Sequence, residues 1–409
     1  MRNASVTDRA RDLVEQKLRE IAACVLDVPD SSTTKDNLGL FNGKAGEALF
    51  LMYYARYSGE DRYYQAAIRR LEEALEGVNA GFYLHTHCSG IAGICWGIGH
   101  LAVNDFIDAD LDETLGEFDD FLAQKMLEDI ERGVFDFLHG ALGVAFYFLL
   151  RRDTNPAVDR HLLKMLDGLR ACAIAGDGQT LKWTTIIDSE TFEKGPNISL
   201  SHGMSAIAAM LSKFIRKGIS PESSAQLLEP AVNYILRQEM PPEYPVCRFP
   251  SYSRETNQGQ ASRLGWCYGD MGIGMALLQA GRTLSRQDWT DKGIEALAHA
   301  CTRTDPAQGA INDAGLCHGS AGVAHMFSRA FQETGVPGFR DTAKLWYDKT
   351  LDFAHFPDGL AGYKTFKALS HGGPYPCSEL LNGVSGVGMA LLHTLSDLPP
   401  DWDECLLLS

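Results

Sequence analysis

The sequence lacks a long apolar run and an excess of basic residues. No stretch of it reaches the roughly 18 consecutive apolar residues that a transmembrane helix needs, and residues 1–30 lack the apolar core of a secretory signal peptide. The formal net charge is −16, which argues against nucleic acid or an anionic membrane surface as the main partner. We therefore expect a cytoplasmic protein that has no membrane span and does not bind nucleic acid.

Cysteine is too sparse for a disulfide scaffold, because only 10 of the 409 residues are cysteine. In a reducing cytoplasm a cysteine more often binds a metal or reacts than forms a cross-link. Two cysteines lie in short glycine-ended motifs: Cys267 in GWCYG, and Cys317 in LCHG, where His318 follows it. Two thiols and an imidazole suit zinc, and three protein ligands rather than four are typical of catalytic zinc. The motifs therefore predict one zinc ion in an enzyme.

A glycine-containing turn followed by an apolar stretch recurs seven times. The turns are 42–46, 89–93, 139–143, 202–206, 268–272, 318–322 and 382–386. The first glycine permits a tight turn, and the residue three positions later is small, as expected where another helix packs closely. The apolar stretch that follows is typical of a helix buried nearly all round.

Charged amphipathic helices alternate with these buried stretches, for example at 63–75 and 340–353, and a further one is predicted near the beginning of the chain, over 13–25. Seven buried and seven amphipathic helices predict an all-α fold, an (α/α)7 toroid with an inner ring wrapped by an outer ring. Because such a ring closes on itself, we expect one domain over residues 1–409.

Three intervals between successive turns are longer than the others. The third, fourth and sixth span 63, 66 and 64 residues, against 47, 50 and 50 for the rest. The extra length falls in loops at 177–200, 241–262 and 355–378, with short strands expected near 181–187. Since each loop leads into an inner helix, we expect all three on the face that carries the cysteine motifs, where a ligand would enter.

Several other residues have two interpretations from the sequence alone. His139 and His202 directly precede a turn glycine, and such a histidine is often only a capping group, which is the interpretation favoured for His139. Asp136 lies between two phenylalanines and is either a turn aspartate or the partner of a catalytic histidine. Arg263 is either an ordinary surface residue or the group that stabilises a developing oxyanion. Tyr268 either lines a pocket or packs in the core.

The combined motifs WCYG at 266–269, CHG at 317–319 and SHG at 201–203 resemble those of the LanC-type lanthionine synthetase cyclases and their LanC-like relatives. The resemblance spans essentially the whole chain, because the seven glycine turns are similar to those of that family's α-toroid. Two positions depart from the family pattern: Met271 stands where proline is common and Ala206 where glycine is usual. Both are helix-packing positions, so they bear on packing detail and not on the metal.

The resemblance implies a role for each of the marked residues. The zinc ligands, one ion per chain, would be Cys267, Cys317 and His318; the catalytic positions would be His202 and Asp136, with Arg263 and Tyr268 as further active-site positions. The implied activity is that of a zinc-dependent lanthipeptide cyclase in bacteriocin or antibiotic biosynthesis. Such an enzyme adds a peptide cysteine thiolate to dehydroalanine or dehydrobutyrine, forming lanthionine or methyllanthionine. The implied partners are a dehydrated precursor peptide (a leader plus a cysteine-containing core), a dehydratase and an exporter.

Three other functions are compatible with parts of the sequence. A LanC-like enzyme that adds glutathione or another free thiol to dehydroamino acids in proteins would use the same zinc chemistry, so the motifs do not separate it from a cyclase. A protein prenyltransferase subunit also activates a peptide thiolate on an α/α ring, but its ligands are Asp, Cys and His. A zinc-stabilised peptide-binding scaffold would need a fourth protein ligand. The sequence favours the cyclase, then the thiol-adding enzyme, then the scaffold.

Overall fold

The computed structural model describes residues 8–28, 37–187, 191, 193–256 and 261–409. Its helices are α1 (Asp8–Leu26), α2 (Lys44–Ser58), α3 (Asp61–Asn79), α4 (Ile91–Val103), α5 (Leu111–Glu131), α6 (Ala141–Arg151), α7 (Asp159–Cys172), α8 (Met204–Arg216), α9 (Pro221–Leu236), α10 (Asp270–Thr283), α11 (Gln287–Ala300), α12 (Pro306–Gly309), α13 (Ser320–Thr334), α14 (Pro337–Asp352) and α15 (Val384–Leu395). Within the described residues, no helix is both long and apolar enough to span a membrane.

Four short strands precede the fourth turn, and two of them coincide with the strands expected near 181–187. They are β1 (Ile174–Gly176), β2 (Thr180–Lys182), β3 (Thr184–Ile186) and β4 (Lys194–Pro196). The strands form two antiparallel pairs, β1 with β2 and β3 with β4. They belong to the first of the three long loops, of which residues 188–190 and 192 lie outside the described part of the chain.

The first glycine of each predicted turn caps the N-terminus of an apolar helix. The caps are Gly43 for α2, Gly90 for α4, Gly140 for α6, Gly203 for α8, Gly269 for α10, Gly319 for α13 and Gly383 for α15. These seven helices, the inner helices, are buried along most of their length; in α15 every residue except Thr394 is buried. The prediction of seven glycine-started buried helices is therefore confirmed.

The outer helices are amphipathic and pack against the inner ones. In α3 the buried residues recur at helical spacing: Tyr63, Ala66, Ala67, Arg70, Leu71 and Ala74. Each such helix has an inner partner: α1 packs on α15, α3 on α2, α5 and α7 on α6, α9 on α8, α11 on α10 and α14 on α13. A single apolar stripe is buried in each outer helix because its other face is solvated.

The chain divides into two compact units. The first contains the described residues up to Ala109 together with Arg303–Trp402. In it α13, α15, α2 and α4 pack each against the next, so the last repeat lies beside the first. Backbone hydrogen bonds join their turns: Leu316 N–H donates to Leu381 O at 2.9 Å, Leu381 N–H to Phe41 O at 2.9 Å, and Phe41 N–H to Cys88 O at 2.8 Å.

The second unit contains Asp110–Thr302 and Asp403–Ser409. Its inner helices α6, α8 and α10 also pack in sequence. The loop at 241–262 is held at the beginning of α10, where Asp270 Oδ1 accepts hydrogen bonds from the N–H groups of Arg248 (2.9 Å) and Phe249 (2.7 Å). This loop therefore lies at the N-terminal end of its inner helix, as predicted, although residues 257–260 fall outside the described chain.

The turn glycines are required mainly by close contact, and only one by its backbone angle. Gly269 has φ of 81°, a left-handed value that favours glycine, whereas Gly43 has an extended φ of −170°. A Cβ on the second glycine of the first turn, Gly46, would lie 2.0 Å from the carbonyl oxygen of Leu40 and 2.7 Å from Cβ of Leu380. The small residue is thus needed beside its own turn and the neighbouring turn, and not beside another helix as the sequence suggested.

Replacing Gly46 by alanine should destabilise the protein, because the new Cβ would collide with backbone that cannot move independently of the turn. We expect the free energy of unfolding to fall by about 1–3 kcal/mol, measured by urea denaturation followed by circular dichroism. Gly116→Ala in α5 is the control: its Cβ would meet no atom within 4 Å, so it should leave stability unchanged or raise it by about 0.5–1 kcal/mol. Equal effects of the two substitutions would contradict the contact argument.

Candidate active site

A carboxylate and an imidazole from two successive turns of the second unit form a short hydrogen bond. Asp136 Oδ2 lies 2.6 Å from His202 Nδ1. The other carboxylate oxygen, Oδ1, accepts the backbone N–H groups of Leu138 and His139, both at 2.8 Å. The two interpretations that the sequence left open for Asp136 therefore hold together: it is a turn aspartate and it is the partner of a histidine.

This pair favours its charged form. Burial opposes ionisation of Asp136, which is 9% exposed, but its hydrogen bond and charge interaction with His202 hold the pKa of the carboxyl below its ordinary value. Burial also disfavours the imidazolium, yet the bond to Asp136 and the nearby Cys267 raise the pKa of His202. Because Nδ1–H donates to Asp136, Nε2 is the nitrogen left to exchange a proton with a ligand. The His202 side chain is 24% exposed, so a ligand can reach it.

The turn that carries Cys267 is bonded directly to the turn that carries His202. The carbonyl oxygen of Cys267 accepts the N–H groups of Leu200 (3.2 Å) and Ser201 (3.4 Å), as well as Ser201 Oγ–H (3.2 Å). Cys267 itself is 7% exposed. The buried thiol and the imidazole therefore lie on hydrogen-bonded turns that precede neighbouring inner helices.

Four aromatic rings stand in a row beside this thiol. His139 stacks on His202 with ring centroids 5.8 Å apart, His202 lies 5.9 Å from Tyr268, and Tyr268 lies 5.3 Å from Tyr252. Burial lowers the pKa of His139. Burial and the neighbouring Tyr252 raise the pKa of Tyr268, so its phenol remains a neutral hydrogen-bond donor near pH 7.

Tyr252 was not singled out by the sequence analysis. It lies in the loop at 241–262, whose aromatic content was the only signal for it. The loop is pinned on both sides of this ring: Ser253 Oγ, fully buried, donates to Gln238 Oε1 at 3.0 Å, and Ser262 Oγ donates to Phe249 O at 2.9 Å. The Tyr252 ring at the end of the row is thus held in place by buried hydrogen bonds on both sides of it in the chain.

Arg263 is exposed on the turn that leads to Cys267. Among the described residues no hydrogen bond or ion pair of its guanidinium is found, so the structure shows no bond from Arg263 to Asp136 or His202. An exposed arginine at this point keeps its side chain available to a bound ligand.

Cys317 and His318 lie in the first unit, in the two positions before Gly319, the cap of α13. Both are partly exposed. Their turn is shaped by Asp313, whose Oδ1 accepts Gly315 N–H at 3.0 Å, and Cys317 N–H donates to Leu381 O at 3.1 Å. Adjacent residues on a turn, unlike adjacent residues in a helix, can direct both side chains to one ion. Thiolate and imidazole are ligands that zinc prefers.

Comparison with known proteins identifies related chains. A family model described as lanthionine synthetase C-like protein matches residues 34–407. The nisin biosynthesis protein NisC of Lactococcus lactis subsp. lactis is 24% identical over 261 residues, which cover 59% of this chain and 60% of that protein. In structure the chain is similar to nisin cyclase, with a TM-score of 0.76, 19% identity and 97% of each chain covered. This structural similarity confirms the predicted fold class, an all-α toroid.

The pair of Asp136 and His202 predicts opposite shifts for two stacked histidines. By nuclear magnetic resonance, His202 should titrate above and His139 below the ordinary imidazole pKa of about 6.5. Asp136→Asn should lower the pKa of His202, because the carboxylate that favours the imidazolium is gone. His161 in α7, which also has a pKa lowered by burial, is the control and should not change. An unshifted His202 in the variant would exclude the charged pair.

The same shifts define the pH range in which the pair stabilises the fold. The pKa of His202 is raised in the folded state. Its contribution to the free energy of unfolding is therefore complete below the unfolded-state pKa of about 6.5, and it is lost as the pH rises through the higher folded-state pKa. The pKa of Asp136 is lowered in the folded state. Its contribution to the free energy of unfolding is therefore present above the unfolded-state pKa of about 3.9, and it is lost as the pH falls through the lower folded-state pKa.

Proposed function

Because the chain belongs to the lanthionine synthetase C-like family, we propose that it is a zinc-dependent lanthipeptide cyclase, which forms lanthionine and methyllanthionine thioether rings in a peptide. The observation that carries this proposal is that the turn of Cys267 is hydrogen-bonded to the turn of His202, whose imidazole pairs with Asp136 in its charged form. A thiol site beside a proton-carrying imidazole has the two functions that addition of a thiolate to an activated double bond requires.

We assign the zinc to Cys267, Cys317 and His318. Two thiolates and an imidazole are ligands that zinc prefers, and each of the three residues lies just before the glycine that caps an inner helix. Three protein ligands leave one tetrahedral position for a substrate thiol. When bound, zinc would supply the positive charge that keeps a coordinated peptide cysteine deprotonated near neutral pH.

His202 is proposed as the general acid. The sulfur of the peptide cysteine adds to the β-carbon of dehydroalanine or dehydrobutyrine, and the electron pair of the double bond moves to the α-carbon and its carbonyl oxygen as an enolate. His202 then transfers a proton from Nε2 to the α-carbon, while Asp136 holds Nδ1 and favours the protonated ring. The thiol loses one proton and the α-carbon gains one, so the net reaction adds S–H across the double bond.

Tyr268 and Arg263 are proposed to stabilise the enolate oxygen. The raised pKa of Tyr268 keeps its hydroxyl protonated, so it can donate a hydrogen bond without losing its proton. Arg263 is exposed and can turn its guanidinium towards a bound peptide. Donors directed at the atom where charge develops are worth more in a partly buried site than in water.

The proposed substrate is a dehydrated precursor peptide with a leader and a cysteine-containing core. A dehydratase would have to supply it, because the double bond arises by removal of water from serine or threonine. We propose that this takes place in the cytoplasm and that an exporter receives the product. The similarity to nisin cyclase supports a peptide substrate.

The proposed activity is tested with a dehydrated peptide that carries one cysteine. The purified protein should remove the free thiol without a change in peptide mass, detected by alkylation and mass spectrometry, and chelation of zinc should abolish this. Cys317→Ala should lose zinc and activity together, whereas the control Cys172→Ala, a change at the end of α7, should lose neither. A surviving peptide thiol together with capture of added glutathione would instead identify a thiol-adding enzyme.

His202→Asn should separate the metal from the proton transfer. The variant should retain zinc, because His202 is not among the proposed ligands, and its kcat for cyclisation should fall by about 10²–10⁴. His299→Asn is the matched control, since His299 also pairs with a buried aspartate, Asp270, at 3.3 Å, but on α11. Unchanged activity of His202→Asn would remove His202 from the mechanism.

A further inference from the structure

The chain segment Asp403–Ser409 is buried within the second unit. Its three leucines, Leu406, Leu407 and Leu408, are at most 2% exposed. The sequence motifs give this segment no role, yet it contacts inner helices that carry site residues at their N-termini. These contacts are polar and specific as well as apolar, so the segment has a defined register.

Three side chains from α8, α10 and the turn before α10 fix that register. Trp266 Nε1–H donates to Leu406 O at 2.7 Å, and Gln279 Nε2–H donates to Leu407 O at 2.7 Å. Lys213 Nζ donates to Glu404 Oε1 at 3.0 Å and also to the backbone oxygen of Ser409. All three donors are buried. Because a buried donor without a partner is costly, the segment cannot shift along the helices without losing these bonds.

One of these bonds comes from α10 itself and another from the turn before it. Gln279 is near the C-terminus of α10, and Trp266 precedes the Gly269 cap at its N-terminus. Trp266 is also the residue before Cys267, whose carbonyl oxygen accepts hydrogen bonds from Leu200 and Ser201. The short piece of chain that carries the thiol is therefore bonded both to the 403–409 segment and to the turn of His202.

We propose that Trp266 is a positioning residue for Cys267, and that the 403–409 segment is the anchor through which it acts. The indole ties the thiol-bearing turn to a backbone carbonyl whose own place is fixed by Gln279 and Lys213. Residues that orient a metal ligand without touching the metal influence the affinity of the site for the metal. The part of this inference that concerns zinc rests on the proposed function; the part that concerns the order of the thiol does not.

The test compares two tryptophan-to-phenylalanine variants of the full chain. Trp266→Phe removes the indole N–H that donates to Leu406. Trp289→Phe in α11 is the control: Trp289 is also fully buried, but among the described residues its Nε1 has no hydrogen-bond partner. Both variants lose the same atoms from a buried site, so a change confined to Trp266→Phe is not a general effect of replacing a buried indole.

Two measurements are made on each protein. In protein freed of metal with a chelator, the alkylation rate of Cys267, determined by peptide mass spectrometry, should rise about fivefold in Trp266→Phe and stay at the wild-type value in Trp289→Phe. The dissociation constant for zinc, from competition with a chelating dye, should weaken by about the same factor in Trp266→Phe alone. A general loss of stability would affect both variants and would not be confined to Cys267.

The outcomes distinguish this inference from the proposed function. An unchanged Cys267 alkylation rate in Trp266→Phe, or equal changes in both variants, overturns the positioning role. A raised rate in a protein whose wild type binds no zinc would support the positioning role and contradict the zinc assignment. If Trp266→Phe does not fold, Gln279→Met removes the bond to Leu407 instead; it should raise the Cys267 rate, and no change would overturn the inference.

Discussion

The close contact between the second glycine of a turn and the carbonyl group six residues before it determines where that turn's side chains lie. In the fifth turn a Cβ on Gly272 would be 2.4 Å from the carbonyl oxygen of Trp266, and in the sixth a Cβ on Gly322 would be 1.8 Å from that of Leu316. These carbonyls belong to the residues directly before Cys267 and Cys317. The contact that begins an inner helix thus also sets the backbone that carries each thiol.

Hydrogen bonds between successive turns bring functional side chains from different repeats together. The carbonyl oxygen of Cys267 accepts three hydrogen bonds from the turn of His202, and Asp136 reaches His202 from the turn before. Different positions on successive turns therefore supply different chemistry to one place. Burial then strengthens the electrostatic attraction between Asp136 and His202, because water is partly excluded from the pair.

The fold was largely predictable from the sequence, because its signals are local. Glycine spacing and apolar stretches located all seven inner helices, and strand residues near 181–187 were found from composition alone. The physical reason for the glycines was less accessible: only Gly269 needs its left-handed angle, whereas Gly46 is required by atoms of Leu40 and of the distant Leu380. A sequence shows that a residue is small but not which atoms exclude a larger one.

The candidate site was predictable in its residue types and not in its contacts. The sequence by itself determined the thiols, the imidazoles and the turns that hold them, because motif and helix start are encoded within a few residues. Only the tertiary structure decided that Asp136 bonds to His202, 66 residues away, that Tyr252 ends the aromatic row, and that Leu406 receives the indole of Trp266. These contacts join separate turns, a loop and the 403–409 segment, and such pairings arise only when helices pack.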